Sequence, residues 1–306
     1  LMWDWQISPR LSLTNALRVD RLSLDHQGSQ FTVPGEDGLY HAAVITEPSF
    51  NSGAVFRLSN NQTIRASAAR AIQLPSLLDL GFAKTFGPII VAGDTQLQPS
   101  KIINYEIDYD RILPALGATL RVAAFAQHST SIIGSVFGSG ASRLPTGQIL
   151  LQSRNFGDSD EFGGEIGLKS SSATGFHWNI SYALAAVHDE SPQALLADAA
   201  SANYQRQTPV SSVLAGAGTS WRQLDLDLQA RWQSHYEDSS PGGTMTLAAQ
   251  PVVVPNYITV DARLAWRLTQ RVTVSLVGNQ LLRQRVMETA GLKVERRLLA
   301  GFKVKF

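Results

Sequence analysis

Two pairs of carboxylates stand two residues apart, Asp108 with Asp110 and Asp225 with Asp227. Paired carboxylates can divide acid and base roles when their surroundings push their proton affinities apart. On a strand, however, i and i+2 point to the same face. There both groups hydrate that face and offer contacts to whatever lies against it, which is the role expected here. Six histidines, His26, His41, His128, His177, His188 and His235, are scattered without metal-ligand spacing such as H-x3-H. Gly134-Ser135-Val136-Phe137-Gly138 carries its serine one place early for the G-x-S-x-G elbow and reads as a loop tip. The chain has no cysteine, so disulfides and thiolate metal sites are excluded. No enzymatic activity, metal or cofactor is expected.

The elements that carry these residues come from the composition and the pattern. Of 306 residues, 17% are charged and 44% hydrophobic, against roughly 25% charged in an ordinary soluble domain. The net charge of +1 gives no footprint for nucleic acid. No run reaches the ~18 apolar residues of a membrane-spanning helix. Leu1 to Gln6 lack the basic and apolar regions of an export signal, which suggests a mature chain or one cut from something longer.

Alternation is the dominant signal. Leu224, Leu226, Leu228, Ala230 and Trp232 interleave with Asp225, Asp227, Gln229 and Arg231. Ile103, Tyr105, Ile107 and Tyr109 interleave with Asn104, Glu106, Asp108 and Asp110, and similar patterns fill 258–268 and 298–306. Period two means strands with one apolar and one polar face. A soluble β-sandwich shares that pattern. The segments run to about 10–12 residues, however, longer than the usual 5–6 and close to the ~9–11 that cross a bilayer. Trp178, Trp221, Trp232, Trp266, Tyr236, Tyr257 and Phe306 fall at or near segment ends, as an interfacial girdle requires. The fold class expected is all-β, a transmembrane antiparallel barrel.

Thirteen strands are predicted, at 2–7, 11–25, 48–58, 62–72, 101–111, 118–130, 147–171, 176–187, 210–221, 224–236, 257–268, 271–281 and 295–306. Short connections alternate with long ones at 26–47, 73–100, 131–146, 188–209, 237–256 and 282–294. Short turns belong to the periplasmic side of bacterial barrels and long loops to the outside. The first and thirteenth strands then run in the same direction, and joining them would need a parallel seam. Even strand numbers and antiparallel closure are the rule, and an unpaired edge in hydrocarbon is costly. Further strands upstream of Leu1 are therefore expected.

Several segments resemble the TonB-dependent outer-membrane receptor family. They are Arg65-Ala66-Ser67 with Ala71, Pro75, Leu77 and Leu80, then Leu97-Gln98-Pro99 with Tyr105-Glu106, and Asn155, Gly163 and Glu165 in an Asn-x7-Gly-x-Glu spacing. Tyr257 to Leu282 is similar to the family's penultimate hairpin and Arg296 to Phe306 to its terminal strand. Ser100 stands where Glu is usual, and Asn279-Gln280-Leu281-Leu282-Arg283 replaces a commoner Asn-Leu-Phe-Asp. The resemblance runs from Trp5 to Phe306. It implies that 1–306 is the C-terminal part of a 22-stranded barrel, without its plug domain, so that about 13 of 22 strands are present. It also implies a Gram-negative outer-membrane location and energised import, through the TonB complex, of a bulky nutrient such as a ferric siderophore or corrinoid. Transport by this piece alone is not expected.

Under that resemblance, Phe82, Lys84, Phe86, Tyr204, Arg206 and Glu237 on the long loops are the ligand-facing candidates, the alternative being solvated loops over the mouth. Arg65, Arg121, Arg231, Arg263 and Arg267 face the lumen and are assigned to plug carboxylates or water. Phe302, Val304 and Phe306 form the signal read by the barrel-assembly machinery, and they also face lipid. Competing assignments are an autotransporter translocator, a general porin and a soluble sandwich. The expected partners are outer-membrane lipid, the plug and upstream strands, the TonB complex, the assembly machinery and a siderophore-like ligand.

Overall fold

The structure, a computed structural model, describes residues 1–25, 43–134, 141–170, 175–190, 203–240 and 250–305. Thirteen strands form one antiparallel sheet in chain order. They are β1 (Met2–Ser8), β2 (Leu11–Leu24), β3 (Ala43–Ser59), β4 (Gln62–Gln73), β5 (Ser100–Leu113), β6 (Ala118–Thr130) and β7 (Asp158–Ser170). They continue as β8 (Phe176–Glu190), β9 (Ser211–Trp221), β10 (Leu224–Gln233), β11 (Tyr257–Arg267), β12 (Val272–Asn279) and β13 (Arg297–Val304). Among the described residues β1 and β13 are each paired on one side only, so the sheet is open.

Register turns the alternation into two continuous faces. On one, Arg65 pairs with Asp108 across β4–β5, Asp110 with Arg121 across β5–β6, and Asp227 with Arg263 across β10–β11. On the other, Trp221, Leu224, Trp266, Val274 and Phe302 form one row through β9–β13. The apolar face has no second layer over it. Tyr105 is 57% exposed, Phe162 58%, Leu228 48% and Leu276 50%. A sandwich would bury these residues between its sheets, and it is thereby excluded. So large an uncovered apolar surface marks a docking or membrane surface. The dry clusters lie instead at the ends of the strands and in their long connections, around Leu80, Ile90, Leu150 and Val254.

Most strand limits follow the alternation, with four differences. β3 begins at Ala43 and β8 runs to Glu190. The stretch predicted as one strand over 147–171 is three pieces, Ile149–Gln152, Arg154–Asn155 and β7. The break falls at Gly157, whose φ of 123° is a backbone conformation open essentially to glycine alone. The first piece pairs with another loop rather than with the wall. Similarly, the strand predicted over 224–236 ends at Gln233, and Tyr236–Ser240 pairs instead, antiparallel, with Gln250–Val254.

Gly163 answers a different demand. It lies between Phe125 on β6 and Ala185 on β8, and a Cβ there would stand 2.3 Å from the Phe125 ring and 2.6 Å from the Leu184 carbonyl. The phenyl ring lies across the glycine and covers the backbone that a side chain would otherwise shield.

Candidate functional site

Two built assemblies stand at the long-loop end of the sheet. In the first, Ser76 and Asp79 form a capping box on the turn Leu77–Gly81: the Ser76 hydroxyl accepts from the Asp79 amide at 3.2 Å, and an Asp79 carboxylate oxygen accepts from the Ser76 amide at 3.0 Å. The strands Ala83–Phe86, Ile89–Ala92, Ile149–Gln152 and Ala141–Arg143 then make a small sheet. Its central pairing, Ile89–Ala92 with Ile149–Gln152, is parallel and joins the β4–β5 loop to the β6–β7 loop.

Asn155 fastens these loops to the wall. Its side-chain carbonyl accepts from the Gln98 amide at 2.9 Å, and its NH2 donates to the Gln98 carbonyl at 2.9 Å and the Ser131 carbonyl at 2.7 Å. Buried Ser100 works beside it, donating to the Ser131 carbonyl and accepting from the Ile133 amide, both at 2.9 Å. A serine at this position is therefore built in, joining the loop that follows β6 to the start of β5.

The second assembly joins three later loops. Asp189 accepts from the Ser159 hydroxyl at 2.7 Å and from the Gln205 amide at 2.8 Å, which holds the turn Tyr204–Gln207 on the end of β8. Arg206 reaches Glu237 at 3.4 Å. Glu288 takes the Arg231 guanidinium at 2.5 Å and the Gln280 amide, while its backbone carbonyl accepts from the Tyr236 hydroxyl. The Ala290 amide donates to Asp238 at 2.7 Å. Val254, Tyr257 and Val286 form the dry patch beneath.

Burial pushes the Tyr236 phenol above its ordinary value, with Tyr257, Asp238 and Glu288 adding to the shift and Arg231 opposing it. A raised value means that the folded group holds its proton longer than the unfolded one. Its contribution is therefore intact below pH about 10 and fades above it, as the bond to the Glu288 carbonyl is lost. In a spectrophotometric titration of the folded protein, Tyr236→Phe is expected to remove part of the late phenolate rise. Superimposable late curves would take Tyr236 out of the buried set.

The structure distributes the loop candidates over both assemblies. Arg206 and Glu237 are brought together, with exposed Tyr204 nearby on the same turn. Lys84 and Phe86 are exposed neighbours on the edge strand of the small sheet, with the ammonium 5.1 Å from the ring centroid. Phe82 is half-buried against Val91 and Leu151, and the Ile89-Ile90-Val91 run is the core of the small sheet. Met245, His26, His41 and the Ser135 to Gly138 part of the loop tip lie outside the described residues.

Each lumen-assigned arginine has a carboxylate of its own chain. Arg65 meets Asp110 and, at 3.7 Å, Asp108; Arg121 meets Asp108 at 3.1 Å and Asp110 at 3.8 Å. Arg263 meets Asp227 at 3.2 Å, Arg267 meets Asp225 at 3.2 Å, and Arg231 meets Glu288. Asp108 and Asp110 thus bridge arginines on the two strands that flank β5, while Asp225 and Asp227 pair with two arginines of the one neighbouring strand β11. Phe302 and Val304 share the exposed apolar face of β13, and Phe306 lies outside the described residues. Among the described residues no three His, Asp or Glu side chains converge as a metal site.

Nothing in the sequence points to Glu288, and Tyr236, expected in an interfacial girdle, instead donates to the Glu288 carbonyl within the loop assembly. For Gln280 the unusual Asn279-Gln280-Leu281-Leu282-Arg283 segment was the available signal: the residue is buried, at positive φ, with its amide on Asp261 at 2.9 Å.

The fold has known counterparts. The FrpB iron transporter from Neisseria meningitidis (F3-3 variant) superposes with a TM-score of 0.69 at 16% identity, over 98% of this chain and 44% of that one. The copper transporter OprC gives 0.68 at 14% identity, over 100% and 47%. The pyoverdine outer membrane receptor FpvA from Pseudomonas aeruginosa PAO1 gives 0.68 at 14%, over 99% and 41%. The chain thus spans less than half the length of each. A comparison with curated protein sequences finds no match. The family described as "TonB dependent receptor-like, beta-barrel" matches residues 1–279, nine-tenths of the sequence, and the structural likeness continues through β13. With that match over most of its length and a thirteen-stranded antiparallel sheet of the same fold, the chain belongs to the TonB-dependent receptor-like β-barrel family.

Proposed function

We propose that these residues form part of the wall and outer mouth of a Gram-negative outer-membrane receptor. The receptor would import a bulky nutrient of the ferric-siderophore or corrinoid kind at the expense of the TonB complex, and the chain has no catalytic role. The observation that carries this reading is the joining, among the described residues, of an uncovered apolar face to hydrogen-bonded loop assemblies at the long-loop end. A wall that faces lipid needs the first, and a binding mouth needs loops held by a scaffold. In this reading Lys84, Phe86, Tyr204, Arg206 and Glu237 line the mouth, while the paired arginines line the lumen toward a plug domain. β13 is the strand engaged by the barrel-assembly machinery.

Radiolabelled ferric hydroxamate, ferric catecholate and cyanocobalamin serve as probes. In an outer-membrane host, uptake of one of them by the receptor that contains this chain is expected to require TonB. The 306 residues expressed alone are expected to give no uptake. TonB-independent uptake, or uptake by the 306 residues alone, would contradict the proposal.

A further inference from the structure

At the short-turn end of the sheet, β9 and β10 are joined by Arg222 and Gln223 alone, with Trp221 paired to Leu224. Arg222 has a φ of 53°. A positive φ at the first central residue of a two-residue hairpin is a glycine position, because a Cβ is strained there. An arginine stands there instead, and its guanidinium lies over the Trp221 indole, 4.9 Å from the ring centroid. Arg267 from the next hairpin pins the turn: its side chain donates to the Arg222 carbonyl at 3.0 Å and its amide to the Gln223 carbonyl at 2.8 Å.

The result is a groove on the apolar face. Its floor is Leu224, which pairs with Trp221 on one side and Trp266 on the other, and the two indoles are its walls, 62% and 50% exposed. Arg222 and Gln223 form its lip, and the space between is about 330 Å³. Arg222 makes no ion pair among the described residues. The nearest carboxylate along the chain, Asp225, points to the opposite face and is taken by Arg267 and Ser220. A lone guanidinium stacked at the rim of an indole-walled apolar slot is therefore left without an anion.

We infer that this groove is a binding site for an anionic phospholipid of the periplasmic leaflet. The phosphate sits on Arg222 and the upper acyl chain lies between Trp221 and Trp266. The guanidinium fork suits a phosphate, and indoles rest at the depth where headgroup meets hydrocarbon. The site rests on the outer-membrane reading given above, which places the short turns in that leaflet. It accounts for an arginine where the backbone favours glycine: the turn gives up local ease to fix a charge beside two indoles.

The test uses the protein reconstituted into phosphatidylcholine bilayers doped with equal mole fractions of either brominated phosphatidylglycerol or brominated phosphatidylcholine. The readout is the quenching lost on Trp221→Phe/Trp266→Phe. Phosphatidylglycerol is expected to be preferred at this pair on the order of fivefold, the contribution of one basic residue at an anionic headgroup. Arg222→Gln should bring the ratio to one, and Arg222→Lys should keep part of it. Arg222→Gly, which eases the turn, should fold at least as well as the parent and still lose the preference. Equal quenching by both lipids in the parent overturns the site while leaving the barrel intact. No quenching by either lipid overturns the membrane reading itself.

Discussion

Gly163→Val is expected to lower the unfolding midpoint of the wall sharply. The first atom of the new side chain would stand 2.3 Å from the Phe125 ring and 2.6 Å from the Leu184 carbonyl. The ring can rotate away, but the carbonyl belongs to the neighbouring strand and moves only with it. Forcing extra atoms into a packed position costs about 1–3 kcal/mol, and a backbone obstacle puts this site at the upper end. Urea unfolding in detergent, followed by tryptophan fluorescence, measures it, with an unchanged slope expected if only stability has moved. Adding Phe125→Ala should recover part of the loss, because it removes the ring and leaves the carbonyl. A midpoint equal to the parent's would show that β6–β8 are not packed as described.

The second large effect is local. Asn155→Leu removes one acceptor and two donors at once, stranding the Gln98 amide and carbonyl. Ser131 keeps its bond from the Ser100 hydroxyl, and Gln98 is partly open to water, so a net loss of about 2 kcal/mol is expected. That is enough to raise the open population of the loops by more than tenfold while leaving the wall folded. Limited proteolysis should show faster cutting within 73–100 and 141–157 and an unchanged global midpoint. Asn155→Asp keeps the acceptor but turns a carboxylate oxygen toward the Gln98 and Ser131 carbonyls, so it too should speed the cutting. Cutting rates equal to the parent's would mean that Asn155 does not hold the loops.

The wall was legible because its signal is local. Each strand carries its own alternation, and the short turns force consecutive strands to be neighbours, so Leu224 to Trp232 needs no distant partner to declare its two faces. The loops were not legible in this way. Ile89-Ile90-Val91 and Ile149-Leu150-Leu151 each announce a buried strand, but nothing in either announces the other. The Asn155, Gly163 and Glu165 spacing, taken as one strand, therefore joins 147–171 across the break, and Phe82, which packs against Val91 and Leu151, reads from sequence as ligand-facing. The arginine pairs stood between these cases. Asp108 and Asp110 on one strand, with Arg65 and Arg121 on its neighbours, could have been matched by laying adjacent polar faces side by side. Glu288 could not, because its partners Arg231 and Gln280 lie on different elements and the residue itself sits in an irregular loop.

The parallel join between Ile89–Ala92 and Ile149–Gln152 has a consequence for how the barrel wall assembles. Both β5 and β6 lie between the two segments in the chain, so the join closes only after those strands are in place and correctly aligned with β4 and β7. A slip of one residue anywhere in that stretch would turn every side chain of the slipped strand to the wrong face and leave Ile90 and Leu150 with no apolar mate. Closure of this small sheet is therefore expected only on a correctly threaded wall, and faster proteolysis of the two loops on a misthreaded one.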